Sequence, residues 1–314
     1  MADSTRNRMQ DSVAPYWLDF VNRFVEAFEV GRTLPTGPLQ RGELQPINRS
    51  ARHNAILCSP HPDDEALVGG LALRLRLEAG VDVLNCAITL GSNRDARKRR
   101  LAEVESSCGI LGFHLLVPNH PNGLEDIRPE VRRSREREWH KNAESLAQVF
   151  DSEEPDLVFL PHADDYHPTH IGTHYLALDA LRIHLERSQR TEILVVETEF
   201  WHAMREPNLM VGLSSALVAT LLMATAEHGG EVTRNPYHLT LPARLMDNVR
   251  RGSEVLGSLG EDASPFLFAE LYRISVMKPQ GCDAAGVPKR VIFPNQALGL
   301  EGPRLRVGPP RLSQ

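Results

Sequence analysis

The sequence predicts an α/β protein: a single Rossmann-like, three-layer domain whose central sheet is mostly parallel. Two observations lead to this prediction. From about Asn54 onward, short apolar runs alternate with helix-like segments, a pattern typical of parallel strands joined by right-handed crossovers. Two of the apolar runs are followed directly by clusters of histidine and aspartate, at the position where an open α/β sheet binds ligands. The sequence contains neither a GxGxxG nor a P-loop motif, so it gives no support to a nucleotide-binding role.

The elements of this domain follow one another in a regular order. Each predicted strand is a short apolar run, and a helix-like pattern lies between it and the next strand. Gly80 and Gly112 end the first two helices, because glycine readily takes the left-handed conformation of a helix C-cap. The predicted strands are Ala55–Cys58, Val81–Leu90, Phe113–Val117, Asp156–Leu160 and Glu192–Glu197, and the predicted helices are Asp64–Ala79, Leu101–Leu111, Pro129–Phe150 and Ile171–Leu185.

Two flanking regions complete the predicted organisation. Tyr16–Val30 has aromatic and aliphatic residues at three- and four-residue spacings, which predicts an amphipathic helix that packs onto the main body. Residues 1–50 are therefore predicted to form an N-terminal helix and a linker, and residues 51–277 the main domain. Residues 278–314 are rich in Pro and Gly, which predicts an irregular C-terminal arm or an oligomer contact.

One segment late in the domain approaches the length of a membrane span. Leu209–Ala226 is 18 residues long and carries no charge. Ser214 is placed to cap a helix that runs to about Glu227, so we predict a buried core or interface helix here instead of a span. A last strand is predicted at Leu267–Val276.

The composition excludes some classes of protein. The chain has 314 residues, of which 41% are hydrophobic and 24% charged, as in ordinary globular proteins. A net charge of −6 argues against a general nucleic-acid-binding protein, which would be basic. The four cysteines lack paired metal-site spacing, and Cys58 and Cys86 lie in apolar runs, which predicts buried free thiols and a reducing compartment. With no apolar core of the signal-peptide kind at the N-terminus, a cytoplasmic location is expected.

The first polar cluster, Ser59 to Glu65 (Ser-Pro-His-Pro-Asp-Asp-Glu), follows the first strand and opens a helix. The helix macrodipole favours ionised carboxylates at this position, and the two prolines stiffen the loop. His61 with Asp64 and an open coordination position is typical of a catalytic zinc site. The plainer alternative is an acidic helix N-terminus without a metal, and Glu65 is expected to support the start of the helix.

The second cluster, residues 161–170 (Pro-His-Ala-Asp-Asp-Tyr-His-Pro-Thr-His), repeats this arrangement after another strand. The repetition predicts two parallel strands that present ligands to one crevice, where His61, Asp64 and His170 would form a two-histidine, one-aspartate site. Adjacent side chains diverge, so Asp63 is better placed to take a proton from water as a general base than to share the metal with Asp64.

These motifs resemble the signature and the distal His-Pro-Asp-His motif of the PIG-L/LmbE family of zinc-dependent N-deacetylases, which act on N-acetylglucosamine derivatives. The resemblance covers roughly residues 54–275. It implies that His61, Asp64 and His170 bind Zn2+, or another divalent transition metal. It also implies that Asp63 is the general base.

A departure from the family pattern concerns His167. The resemblance implies that His167 protonates the leaving amine or stabilises the oxyanion, and in the family an Asp of the motif holds this imidazole. Here that position is Thr169, whose hydroxyl supplies no charge to raise the basicity of the ring. Either Asp164 or Asp165 takes over the pairing, or the pKa of His167 is lower than in relatives.

The resemblance also suggests residues that contact the sugar. Arg100 and Glu103 match an Arg and a Glu, three residues apart, that reach the sugar in the family, and Asn122 lies where relatives often carry an Asp near the sugar hydroxyls. The basic run Arg94–Arg100 suits an anionic group such as a phosphate, although a solvated helix start is the simpler interpretation.

Two polar and aromatic segments are further candidates for the walls of a sugar site. One contains His202, and the other contains Asn235 and Tyr237. Aromatic faces stack on pyranose rings, while His and Asn bond hydroxyl groups. Both segments could equally be edges of the core. They also resemble the second half of deacetylase domains fused to glucosamine-6-phosphate deaminase-like proteins.

The expected function is therefore a zinc-dependent hydrolase that removes the acetyl group from an N-acetyl amino sugar by metal-activated water. The substrate would be N-acetylglucosamine or a derivative, with or without a phosphate. The alternatives are a metal-holding scaffold that lost turnover through Thr169 and binds a sugar or a protein partner, and an amidase for a different conjugate. The expected partner is a small molecule; neither nucleic acid nor a membrane span is expected, and a homo-oligomer is compatible with the sequence.

Overall fold

The computed structural model describes residues 14–37, 53–256, 264–284, 287–302 and 304–310. The chain divides into two compact units, one ending at Thr36 and the other beginning at Gly37. The first unit contains helix α1 (Pro15–Arg32), which extends the predicted helix by one or two residues at each end. Proline at the first helical position costs no hydrogen bond there. Most of the predicted linker lies outside the described residues.

The second unit begins with strands and helices that alternate as the sequence predicts. Its strands are β1 (Asn54–Ser59), β2 (Asp82–Ala87), β3 (His114–Leu116), β4 (Leu157–Pro161), β5 (Ile193–Thr198), β6 (Leu209–Leu213), β7 (Phe268–Lys278), β8 (Gly281–Asp283), β9 (Arg290–Ile292), β10 (Gln296–Leu300) and β11 (Leu305–Pro310). Its helices are α2 (Asp64–Leu67), α3 (Gly70–Ala79), α4 (Arg97–Leu111), α5 (Pro129–Ser134), α6 (Glu136–Glu153), α7 (Pro168–Arg187), α8 (Ser215–Ala226), α9 (Gly229–Val232) and α10 (Tyr237–Leu256).

Within the described part of the chain, nine strands form one sheet in the order β3-β2-β1-β4-β5-β7-β6-β9, with β8 paired to β7. Strands β1 to β5 are parallel, whereas β7 runs antiparallel to both β5 and β6. Apolar side chains of α3, α4, α8 and α10 cover one face of the sheet, and those of α6 and α7 cover the other. The predicted three-layer α/β class with a mostly parallel sheet is confirmed.

The predicted helix over Asp64–Ala79 is in fact two helices, α2 and α3, separated at Val68 and Gly69. A side-chain carbon at Gly69 would lie 2.2 Å from the carbonyl oxygen of Glu65, and one at Gly70 would lie 2.4 Å from a carboxylate oxygen of Glu270. Gly69 therefore allows the chain to turn closely past α2, and Gly70 allows a close approach to β7, at a point where glycine is also a weak helix former.

The prediction for Leu209–Ala226 is half wrong. Ser214 does cap a helix, α8, because its hydroxyl accepts the backbone N–H of Leu217. The five residues before it form β6, which is buried along its whole length between β7 and β9. A strand that is apolar on both faces has no alternation, so its sequence does not differ from that of a buried helix. No helix in the described ranges is long and apolar enough to cross a bilayer.

The C-terminal segment is less irregular than predicted, since it contains the short strands β8 to β11. Strands β10 and β11 form a separate antiparallel pair. Cys58 and Cys86 are buried free thiols, as predicted, and burial raises the pKa of Cys58 to about 12.

Candidate active site

The two polar clusters meet at one edge of the sheet because β1 and β4 are adjacent parallel strands, with Leu57 opposite Phe159. The loop after β1 is held in place by Thr89, whose hydroxyl and N–H both donate to the carbonyl of Pro60, at 2.8 and 3.2 Å. The loop after β4 leads into α7, which carries His170 in its first turn. Neighbouring parallel strands thus bring side chains about a hundred residues apart into one crevice.

Asp64 lies between His61 and His170. Its Oδ2 atom is 3.6 Å from Nδ1 of His61 and 3.5 Å from Nε2 of His170, and it accepts the backbone N–H of His61 at 2.8 Å. The Oδ1 atom and both ring nitrogens of His170 are buried and have no hydrogen-bond partner among the described residues. Buried polar atoms normally have a hydrogen-bond partner. This set of unpaired oxygen and nitrogen atoms therefore fits the ligands of a divalent cation of the zinc type.

The charges and hydrogen bonds around Asp64 favour the ionised form of its carboxylate. Burial alone would raise the pKa of Asp64, but the charge of His170 and the hydrogen bond from His61 outweigh it, and the pKa is lowered. Burial likewise disfavours a charge on His170, yet Asp64 and Asp165 raise the pKa of its ring. A cation at this position would therefore meet an ionised carboxylate.

His167 completes a cluster of three imidazoles. Its ring centroid is 4.8 Å from that of His61 and 5.2 Å from that of His170. Ligand nitrogens of the three histidines lie within 4.8 Å of one another, so these histidines form a second candidate ligand set. His167 is also the N-cap of α7, since its Nδ1 atom accepts the backbone N–H of Thr169 at 3.2 Å.

The structure shows which groups surround the ring of His167. Asp164 is exposed, and Asp165 accepts the backbone N–H of His167 with Oδ1 while its Oδ2 is 3.5 Å from Nδ1 of His170. Neither carboxylate therefore takes over the pairing with the His167 ring. Burial, followed by the charges of His61 and His170, lowers the pKa of His167 to about 4. A carboxylate beside the outer nitrogen of a metal-binding histidine orients its ring, which is the position of Asp165 relative to His170.

Asp63 is buried beside the candidate metal ligands and has an unusual backbone conformation, with φ 117° and ψ −28°. Its backbone N–H donates to Oε2 of Glu65 at 2.9 Å, and its Oδ2 atom accepts the hydroxyl of Tyr237 at 2.5 Å. Burial and the neighbouring charge of Asp64 raise the pKa of Asp63 to about 7. A carboxylate with such a pKa is matched to proton transfer near neutral pH.

These residues open onto a cavity of about 780 Å³. Of the predicted substrate residues, Arg100, Asn235 and Tyr237 line it, and Nη2 of Arg100 donates to the carbonyl of Pro62 at 3.2 Å. The wall also carries many charged side chains. They include the arginines Arg94, Arg97, Arg99, Arg128 and Arg234 and the carboxylates Glu125, Asp126 and Glu231.

Two predicted substrate residues lie elsewhere. Asn122 lines an adjoining cavity of about 1250 Å³ and is not at the wall of the first one. The Nδ1 atom of His202 is 2.7 Å from the carbonyl oxygen of Asp164, and its ring packs on Tyr166 with centroids 4.4 Å apart. His202 therefore supports the loop after β4 from outside the cavity.

Sequence reasoning missed His228, which is completely buried and bonds Glu65 through Nε2 at 2.7 Å. Burial disfavours a charged ring, but the charge of Glu65 and its hydrogen bond raise the pKa of His228. The two residues are 163 positions apart, so no spacing in the sequence connects them. Phe200, from a segment predicted as a wall, packs against His170 with the ring centroids 5.1 Å apart and the ring planes tilted by 33°.

Comparison with known proteins connects this site to a family. Residues 56–181 match the family described as PIG-L: GlcNAc-PI de-N-acetylase, and this range contains His61, Asp63, Asp64, His167 and His170. No curated protein matches the chain.

Several solved structures share the fold. The A40926 pseudoaglycone deacetylase Dbv21 is 17% identical, with 73% of this chain and 98% of that chain covered and a TM-score of 0.52. GalB, the 4-carboxy-2-hydroxymuconate hydratase of Pseudomonas putida KT2440, is 17% identical, with 71% and 95% covered and a TM-score of 0.51. The zinc-inhibited form of teicoplanin deacetylase Orf2 is 16% identical, with 72% and 98% covered and a TM-score of 0.50.

At these identities the structural similarity shows a common fold, and the fold serves hydratase as well as deacetylase chemistry. The family match is more specific, because it includes both polar clusters at the edge of the sheet. Residues 56–181 of this chain, which carry the site, are thus similar to the PIG-L family.

Proposed function

We propose that this chain is a metal-dependent N-deacetylase of an amino-sugar derivative and that Zn2+ is its metal. The observation that carries the proposal is the position of Asp64 between His61 and His170, with an unpaired buried oxygen. A second buried carboxylate, Asp63, lies next to it. The family match supports the reaction, since the matched family is described as a de-N-acetylase.

His61, Asp64 and His170 would hold the ion, and three protein ligands leave a coordination position open, as in catalytic zinc sites. A bound zinc ion would supply Lewis acidity that polarises the amide carbonyl and eases the ionisation of water. The outer nitrogen of His170 lies against Asp165, an arrangement that favours metal binding by the inner nitrogen.

The protein's own groups would move the proton. The carboxylate of Asp63 accepts a proton from the attacking water and returns it to the amine nitrogen as the C–N bond breaks, which yields acetate and a free amine. The hydrogen bond from Tyr237 directs the carboxylate during both transfers. Because Nδ1 of His167 accepts a backbone N–H, the proton of its neutral ring lies on Nε2, which can donate to the developing oxyanion.

The wall of the cavity supports an anionic derivative as substrate. Six described arginines, including Arg100, face three carboxylates there, apart from Asp63 and Asp64. Guanidinium groups bind phosphates and carboxylates through two parallel hydrogen bonds. The proposal therefore favours a phosphorylated or otherwise acidic N-acetyl amino sugar over a neutral one.

Acetate release by the purified protein tests the proposal directly. We expect about one zinc ion per chain and release of acetate from N-acetylglucosamine phosphates, faster than from N-acetylglucosamine itself. Removal of the metal by a chelator should abolish the activity, and added Zn2+ should restore it. Full activity in protein shown to be metal-free would contradict the proposal, as would a metal-loaded protein that hydrolyses none of these amides.

The non-catalytic scaffold predicts a different outcome for Thr169→Asp. Under the scaffold hypothesis the wild type is inactive and the new carboxylate restores turnover beside His167. Under our proposal the wild type is active, and we expect the rate of acetate release to change by less than about tenfold, because His167 acts as a neutral donor. Thr169→Asn, which adds similar bulk without charge, is the matched control.

A further inference from the structure

Behind Asp63 lies a buried hydrogen-bond network around Glu65 and His228, two residues that none of the catalytic roles above uses. Asp63 is a non-glycine residue with φ 117°, in the region that favours glycine. Such a conformation persists only where surrounding contacts hold it, and it is commonly found at functional sites. Its backbone N–H is held by Glu65 and its carboxylate by Tyr237.

Glu65 is itself anchored from two sides. Its Oε2 atom accepts the Asp63 N–H, while its Oε1 atom accepts the hydroxyl of Ser107 at 2.5 Å and bonds Nε2 of His228 at 2.7 Å. Neither the Glu65 nor the His228 side chain has any solvent exposure. A buried carboxylate without partners is costly, so these two hydrogen bonds determine where Glu65 can place its second oxygen.

The segment that carries His228 is fastened to α4. The backbone N–H of Gly230 donates to Oε1 of Glu103 at 2.9 Å, and the hydroxyl of Ser106 donates to Oε2 of Glu227 at 2.6 Å. The same segment leads to Tyr237 at the start of α10. Residues 227–237 therefore hold Asp63 twice, once at its backbone through Glu65 and once at its carboxylate.

We propose that His228 is a positioning residue: acting through Glu65, it holds Asp63 in the left-handed backbone conformation that directs its carboxylate toward the substrate cavity. The inference deepens the proposed function and rests on Asp63 being the general base. His228 itself is completely buried and does not line the cavity, and its hydrogen bond toward the site is the one to Glu65.

The test replaces His228 by Leu, which removes the hydrogen bond, and by Gln, which returns an N–H donor near the position of Nε2. For His228→Leu we expect kcat to fall by roughly 10–100-fold, with KM and zinc content within about twofold of the wild type, and for His228→Gln we expect most of the loss to be recovered.

The matched control is His184→Leu. His184 is also buried, bonds a carboxylate, Asp151, at 2.6 Å, and has one ring nitrogen without a described hydrogen-bond partner. It lies near the far end of α7. We expect this variant to lose stability but to keep the wild-type kcat per zinc-loaded molecule. A purely structural role for His228 would give the same result as this control.

A wild-type kcat in folded, zinc-loaded His228→Leu would overturn the proposal. If that variant does not fold, Ser107→Ala removes the other hydrogen bond to the same oxygen, and we expect a several-fold loss of kcat; an unchanged kcat would overturn the proposal equally.

If the wild type hydrolyses no N-acetyl amino sugar, the proposed function fails, and crystal structures test the positioning separately. We expect Asp63 to leave the left-handed region in a positioning-deficient variant, His228→Leu or Ser107→Ala, and to keep it in His184→Leu. An unchanged φ of Asp63 in the positioning-deficient variant would refute the role assigned to His228.

Discussion

Asp63→Asn is expected to lower kcat for acetate release by about 10²–10⁴-fold while the protein still binds zinc. The amide has nearly the shape of the carboxylate and can keep the hydrogen bond with Tyr237, but it cannot accept the proton of the attacking water. Rates at saturating substrate and zinc content of the same preparation are the measurements needed.

Asp247→Asn, a substitution of an exposed aspartate on α10, is the control and should change neither quantity. Loss of zinc from Asp63→Asn would place Asp63 among the metal ligands and contradict its role as base. Retention of both zinc and full turnover would remove Asp63 from the mechanism altogether.

His170→Ala is expected to have the second large effect, the loss of both zinc and activity. His170 belongs to both candidate ligand sets, so its removal does not depend on which of them is correct. We expect zinc to fall from about one ion per chain to a small fraction of that, as measured by metal analysis after dialysis. His140→Ala, which removes an exposed histidine of α6, should retain both.

Two further variants distinguish the ligand sets. If Asp64 is the third ligand, Asp64→Asn loses zinc, while His167→Ala keeps zinc and loses turnover. If three histidines bind the metal, His167→Ala loses zinc instead. The contact of one Asp64 oxygen with both His61 and His170 leads us to expect the first result.

The parts of the fold nearest the site were the most predictable from sequence. Strands β1 and β4 differ from their predicted bounds by at most one residue at each end. Each is a compact apolar run bounded by a proline-containing polar cluster, and both signals are local. The C-terminal strands were not predictable in this way, because β8 and β9 are only three residues long. β8 pairs with the end of β7 just before it, and β9 is stabilised by pairing with the distant strand β6.

The candidate site shows the same division. The types of metal ligand and their spacing within a cluster are local properties of the sequence. His61, Asp64 and His170 could therefore be proposed as one ligand set without knowledge of the distances between their side chains. The partners of these residues could not be. Asp165 faces His170 instead of the His167 ring, and Tyr237 bonds Asp63.

That two strands end in clusters able to bind a metal follows from the chain's local signals, because the strand, turn and helix signals and the chemistry of the side chains lie within a few neighbouring residues. Which groups hold these residues in place depends on the packing of distant segments. The contact of His228 with Glu65, and through it the backbone of Asp63, joins segments 163 residues apart. Such a contact arises from the packing of α4 and the segment after α8 against the loop of β1, and packing between distant segments leaves no periodicity or spacing in the chain.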